Sequence, residues 1–304
     1  MFYVVHVRAI LAAHMKIIVR AMPVISELVL YPIKSCAGIS VRQATLTTAG
    51  LSVDNVYDRE WMVVDEQGQF LTQREHPRLA LVAPRIKLDT IELRAPGMLR
   101  LEIPLDLPAP ENEVLREVKL WDDTVLAYDC DETTATWFSQ VIGAPCRLVR
   151  FHAGAKRFAS TKWTGGVEAP TLFADGYPVL VIGSASLADL NDKLKAAGRD
   201  PLPMDRFRPN VVIDGMEPYE EDYVDAFSAG EASLKPVKPC PRCPIPSVDQ
   251  ATGVPGPDPL DILQSYRKKP QLDDAVCFGM NCIVTAGEGT RLFVGLEVTA
   301  ALAF

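Results

Sequence analysis

Apolar residues in the first half of the chain fall in short runs broken by turn formers, a pattern that predicts strands. Val24–Tyr31 is an apolar run that stops at Pro32, and Val41–Thr48 leads into Gly50. Trp61–Val64 and Gln69–Thr72 flank Asp65-Glu66-Gln67-Gly68, a hairpin turn by composition. Leu79–Val82 and Ile86–Leu93 continue the strand pattern, and Pro96–Glu113, rich in proline and acid, reads as a loop. A helix is predicted from a cap at Asp131 to Ile142, with Ala135, Phe138 and Ile142 on one face and Gly143 as its stop.

The second half alternates strand and helix. Pro178–Ile182 is continuously apolar, as in a buried strand. Ser186 and Asp189 suggest a capping box for a helix with Leu187, Leu190 and Leu194 on one side, ending at Gly198. Asn210–Ile213 is a further strand. Asp258-Pro259 opens a helix that runs to Arg267-Lys268-Lys269-Pro270, and Asn281–Thr285 and Leu292–Val298 are closing strands.

A chain of 304 residues is long enough for two domains and a sizeable core. A boundary is expected near 150–170, where Gly, Ser, Thr and Lys accumulate, giving domains 23–150 and 151–304 after an extension, 1–22. That extension is apolar but interrupted by His6, Arg8, His14, Lys16 and Arg20. Its uncharged stretches are too short to span a bilayer, and it reads as a poorly ordered extension or the product of an upstream start codon, with Met15 or Met22 as the true start. The net charge of −8 argues against nucleic acid or an anionic membrane as the main partner, but leaves room for a local basic pocket. Seven cysteines without a secreted framework point to a reducing cytoplasm.

Several segments could carry chemistry. Cys240-Pro241-Arg242-Cys243 admits three readings: half of a zinc site completed by Cys277 and Cys282, a redox pair, or a single soft thiolate ligand on an extended loop. Prolines at 236, 239, 241, 244 and 246 exclude the helix a redox pair would open. Lys34 and Ser35 after a strand suit a phosphate, although the segment is not a Walker loop and by itself reads first as an ordinary polar turn. Arg59 between Asp58 and Glu60 reads as a salt bridge. Arg208-Pro209-Asn210 could aim a guanidinium and an amide at a heteroaromatic edge, or be a loop arginine with a capping asparagine. Asp175 before the apolar strand is a turn former, or a substrate anchor or acid. His6, His14, His76 and His152 form no metal pattern.

Taken in order, Tyr31–Gly38, Asp58–Trp61, Gln73–Leu79, Pro178–Asn191, Phe207–Ile213, Cys240–Gly253 and Phe278–Asn281 resemble the MOSC proteins with a β-barrel N-terminal domain, the group that includes the mitochondrial amidoxime-reducing component. The resemblance covers roughly 24–300. It implies a mixed, β-rich α/β fold: an N-terminal β-barrel-like domain and a C-terminal MOSC β-barrel with short helices, and a molybdenum–molybdopterin cofactor in the cleft between them. It assigns Cys243 as the metal ligand; Lys34, Ser35 and Arg59 as phosphate anchors; Arg208 and Asn210 as pterin contacts; and Asp175 as the residue that meets the substrate. The implied activity is a molybdenum-dependent oxidoreductase that reduces N-hydroxylated small molecules with electrons from a separate flavin or iron–sulfur protein. A cofactor carrier or sulfur-transfer module is the alternative. Two departures bear on substrate choice: Gly176 and Tyr177 replace the hydroxyl residues after the Asp in the animal proteins, and Pro241 precedes the ligand by two.

Overall fold

The computed structural model describes residues 22–107, 111 and 113–303; the expected extension, apart from Met22, and Phe304 lie outside them. The chain is β-rich with few helices, as expected. Its largest sheet has nine strands among the described residues. In spatial order these are Ile39–Val41, Val24–Leu30, Val211–Asp214, Val179–Gly183, Ala275–Ala286, Ala232–Pro241, Val224–Ala229 and Thr299–Leu302, with Lys268–Lys269 pairing on Ala275–Ala286. The pairing of Val179–Gly183 with Val211–Asp214 is parallel, bridged by the helix Ser184–Ala196, whose Leu190 and Leu194 are fully buried.

Strands from the two halves of the chain share sheets. Val24–Leu30 pairs with Val211–Asp214, and Arg291–Phe293 closes onto Gln43–Thr47. A four-stranded sheet, Leu115–Leu120, Asp123–Asp129, Arg147–Phe151 and Trp61–Val64, carries the helix Glu132–Ile142. The Asp131 carboxylate accepts from Thr134 N at 2.8 Å and Gly143 ends the helix in the left-handed conformation, as its sequence predicts.

Some elements differ from expectation. Leu79–Val82 is not a strand: Pro77–Leu81 is a 3-10 turn that buries Leu79 and Ala80, because Pro77 fixes the first turn. Ile86–Leu93 is two strands, Ala83–Ile86 and Thr90–Arg94, joined through Lys87 N donating to Thr90 O at 2.9 Å. The acidic loop contains the strand Leu101–Pro104, which pairs with Thr90–Arg94. Gln69 and Phe70 make isolated bridges only. Ser186 does not cap its helix; it lies in the first turn and donates from its hydroxyl to the buried Glu221 at 2.8 Å. The helix after Asp258-Pro259 is the single turn Leu260–Leu263, since Lys268 and Lys269 are drawn into the edge of the sheet.

Candidate functional site

The strand ends described above meet at one cavity of about 470 Å³. Lys34, Ser35, Arg59, Asp175, Arg208, Asn210 and Cys243, seven residues up to 209 positions apart in the chain, all line it. Its cations are Lys34, Arg59, Arg74, Arg208, Lys238 and Arg242, against a single lining carboxylate, Asp175. A strongly positive cleft on a chain of net charge −8 concentrates field lines and favours an anionic ligand.

Backbone strain is concentrated here. Ser35, Arg59, Trp121 and Arg208 line the cavity with φ of 65°, 51°, 56° and 56°, in the left-handed region that residues with a side chain adopt at a cost. Arg208 is forced further by Pro209, which disfavours the right-handed helical region for the residue before it. The result is that the Arg59 and Arg208 guanidiniums lie 4.4 and 4.3 Å from the ring centroid of the buried Tyr31. Arg59 is ion-paired with Asp58, and its Nη2 donates to Arg208 O at 3.3 Å. The Arg208 guanidinium makes no hydrogen bond or ion pair among the described residues, and burial lowers its pKa, offset in part by Tyr31. An unpaired guanidinium in a cavity wall is a vacant fork for a phosphate.

Asn210 is used differently from the sequence expectation. Its amide nitrogen donates to Asp58 Oδ1 at 2.9 Å and Val29 O at 3.3 Å, while its oxygen accepts from Leu180 N at 3.1 Å. The side chain is spent on joining strands and on holding Asp58, which in turn holds Arg59; it positions an arginine of the cavity wall. Burial raises the pKa of Asp58, opposed by Arg59.

On the opposite wall, Lys34 Nζ is buried and donates to Asp175 Oδ1 at 2.6 Å and Phe173 O at 3.0 Å. Asp175 itself is 73% exposed to the cavity. Desolvation raises its pKa, but the Lys34 ammonium outweighs that and holds the carboxyl well below the usual carboxylate range. Two further residues shape this wall, and sequence reasoning missed both. Trp121 Nε1 donates to Asp175 Oδ1 at 3.2 Å. Arg157, buried, donates to Asp175 O at 3.0 Å and Leu172 O at 3.1 Å, fixing the turn that presents Asp175. A turn Trp and a loop Arg carry no sequence signal of such a role.

Cys243 follows the strand Ala232–Pro241 on a short loop before the 3-10 turn Ile245–Ser247. The prolines hold the segment extended, as expected. The loop is tied down by the buried Arg206, which donates to Pro246 O and Ser247 O at 3.1 Å and pairs with Asp249 at 2.6 Å. A reciprocal amide pair, Gln73 with Gln250 at 3.0 and 2.9 Å, clips it to the opposite wall. Cys240 Sγ accepts from Arg242 Nη1 at 3.2 Å. Cys277 and Cys282 are buried, with burial raising both thiol pKa values. No three His, Cys, Asp or Glu gather into a metal cluster among the described residues, so the four-cysteine zinc reading falls. The two thiols at the cavity, Cys240 and Cys243, remain as soft donors.

The fold and cleft define a β-rich protein whose two interlocked halves enclose a cationic, thiol-bearing cavity. The first half, 22–145, matches the MOSC N-terminal beta barrel domain, and 168–299 matches the MOSC domain. Mitochondrial amidoxime reducing component 2 of Bos taurus is 36% identical over 247 residues, covering 80% of this chain and 72% of that protein. Mitochondrial amidoxime-reducing component 1 of Homo sapiens is 34% identical over 248 residues, with the same coverage. Molybdenum cofactor sulfurase of Oryza sativa is 34% identical over 260 residues, 81% of this chain but 31% of that protein. The chain belongs to the MOSC family, in the group with a MOSC N-terminal beta barrel domain. Among the described residues no helix is long and apolar enough to cross a membrane.

Proposed function

We propose that the cavity holds a molybdenum–molybdopterin cofactor and that the protein reduces N-hydroxylated small molecules with electrons from a separate flavin or iron–sulfur protein. The observation that carries this reading is the pairing, in one cavity, of an unpartnered arginine with two thiols. The donor set fits the group: hard, cationic anchors for a phosphate on one side, and a soft sulfur for the metal on the other. Lys34, Ser35, Arg59 and Arg208 would hold the anionic end, Asn210 would fix Arg59 through Asp58, and Cys243 would ligate the metal. When bound, the group would supply two-electron chemistry at molybdenum.

The remaining work falls to the chain. Conversion of an N-hydroxylated compound to its reduced form consumes two electrons and two protons and releases water. Asp175, kept as a carboxylate by Lys34, is suited to accept a hydrogen bond from a substrate N–H rather than to supply a proton. Trp121 and Arg157 hold that carboxylate in place. The likeness to molybdenum cofactor sulfurase favours a second reading, a cofactor carrier or sulfur-transfer module. Turnover of benzamidoxime with reduced viologen by molybdenum-loaded protein decides between them: turnover supports the reductase, and full loading without turnover supports the carrier.

A further inference from the structure

One end of the cavity is not used by any role given above. Hydrogen-bonded strands bring Leu180, Asn281 and Lys238 into one row across the sheet, with Leu180 opposite Asn281 and Asn281 opposite Lys238, and all three line the cavity. Asn210 extends the row by accepting from Leu180 N. Strands lie about 4.8 Å apart, so Lys238 stands roughly 14 Å across the sheet from the Arg208-Asn210 side. Lys238 is also on the same strand as Cys240 and four residues before the Cys243 loop begins at Arg242-Cys243, which places it on the metal-ligand side.

The polar groups at this end have no partners. Lys238 is half-buried, yet makes no ion pair and no hydrogen bond through its ammonium among the described residues; its Nζ lies 5.3 Å from the centroid of the Trp163 ring. The Asn281 amide, also half-buried, makes no hydrogen bond to the protein among the described residues. The Tyr177 hydroxyl is buried without a partner. Tyr177 and Val237, the neighbour of Lys238, pack against the same small cluster of Ala159, Ala169 and Ile283. Burial pushes the Tyr177 phenol up to about 12, so it stays protonated. An ammonium, an amide and a phenol are all hydrogen-bond donors. Lys238 and Asn281 line the cavity with donors that no protein acceptor occupies among the described residues, so a ligand can supply the acceptors.

We infer that Lys238 and Asn281 form a subsite for an anionic substituent, a carboxylate or a phosphate, carried on the substrate. This rests on the proposed reductase reading only for the identity of the reacting group; the subsite itself rests on the row of unpartnered donors. It predicts that the natural substrates are N-hydroxylated compounds bearing a negative charge at some distance from the nitrogen.

The test uses molybdenum-loaded protein in two arms. In the first, calorimetry compares benzoate with benzamide. Benzoate should bind about tenfold tighter in low salt, Lys238→Met should erase the difference, and Lys238→Arg should keep it. In the second, 4-carboxybenzamidoxime and benzamidoxime are compared with viologen as donor. The ratio of their KM values should shift about tenfold against the carboxylated compound in Lys238→Met. Equal binding of benzoate and benzamide by the wild type overturns the subsite, as does a preference that survives in Lys238→Met. A fall in molybdenum content in that variant also overturns it, by placing Lys238 among the cofactor anchors. Anion preference in the first arm without turnover in the second sinks the reductase reading and leaves the subsite standing.

Discussion

Lys34 and Asp175, 141 residues apart in the chain, meet with Nζ and Oδ1 2.6 Å apart, but only the lysine is buried: the side chains are 6% and 73% exposed. The pair is therefore asymmetric. The lysine is the buried member, and burial lowers its pKa despite Asp175. Removing the buried charge and removing its exposed partner should have different consequences.

Lys34→Met removes the buried ammonium and leaves an exposed carboxylate free to hydrate. Its melting temperature should equal or exceed that of the wild type, while cofactor affinity falls about ten- to a hundredfold through loss of a charged hydrogen bond. Asp175→Ala leaves the buried ammonium with Phe173 O as its only hydrogen-bond partner among the described residues and should cost more than Lys34→Met, on the order of a few kcal/mol, because the charge is left uncompensated. Thermal scans and metal analysis of the two variants check this; a Lys34→Met protein that melts far below Asp175→Ala would contradict it.

Acid should expose the same asymmetry. The Asp175 carboxyl is held low in the folded state, so its contribution to stability is present above its unfolded pKa, about 4, and is lost as pH falls through the depressed folded value. The difference in melting temperature between wild type and Asp175→Asn should stay constant from about pH 7 to 5 and narrow below about pH 4. A difference that narrows near neutrality would mean that Asp175 titrates there and could supply a proton.

Tyr31 separates ring from hydroxyl. Its ring carries both Arg59 and Arg208, whereas its hydroxyl is buried without a partner. Tyr31→Phe should be neutral or stabilise by up to ~1 kcal/mol, and should retain the cofactor. Tyr31→Leu keeps an apolar filling but removes the π face, worth about 0.5–2 kcal/mol per cation, and should release the cofactor more readily on dialysis. Equal retention by the two variants would show that the stacking does not matter.

The two thiols should not be equivalent. Cys243→Ser is expected to lose molybdenum, and Cys240→Ser to keep much of it, with zinc absent from both as measured by elemental analysis. Identical loss in both variants would point to shared ligation.

Electron supply provides the last expectation. The seven cysteines are free, no metal cluster forms among the described residues, and no dinucleotide fingerprint is present. In an anaerobic assay the loaded protein should not oxidise NADH or NADPH in the presence of an N-hydroxylated substrate. It should turn over with reduced viologen. Robust NADH consumption by the chain alone would refute this.

The strand-rich class, the helix capped by Asp131 and closed by Gly143, and the extended cysteine segment were legible in the sequence because each is fixed locally: by a side-chain cap, a left-handed glycine or a run of prolines. That Lys34, Ser35, Arg59, Asp175, Arg208, Asn210 and Cys243 would come together at one cavity was legible only through the ordered motifs of a family. What the sequence could not reveal was the use of each residue. Asn210 looked like a ligand-reading amide and instead joins strands, because Leu180 and Val29 come beside it only when the sheet forms. Trp121, Arg157 and Lys238 carried no signal, since their partners or lack of partners depend on distant segments. Ser186 matched a helix cap but was captured by Glu221, and the helix expected after Pro259 stopped after one turn because its basic end joined the sheet edge. Local patterns determined which stretches extend, turn and cap, since those choices cost free energy within a few residues. Which charges are buried, which are paired and which are left open to a ligand was decided by tertiary structure, because desolvation and Coulomb energy depend on what surrounds a group in space rather than on what precedes it in the chain.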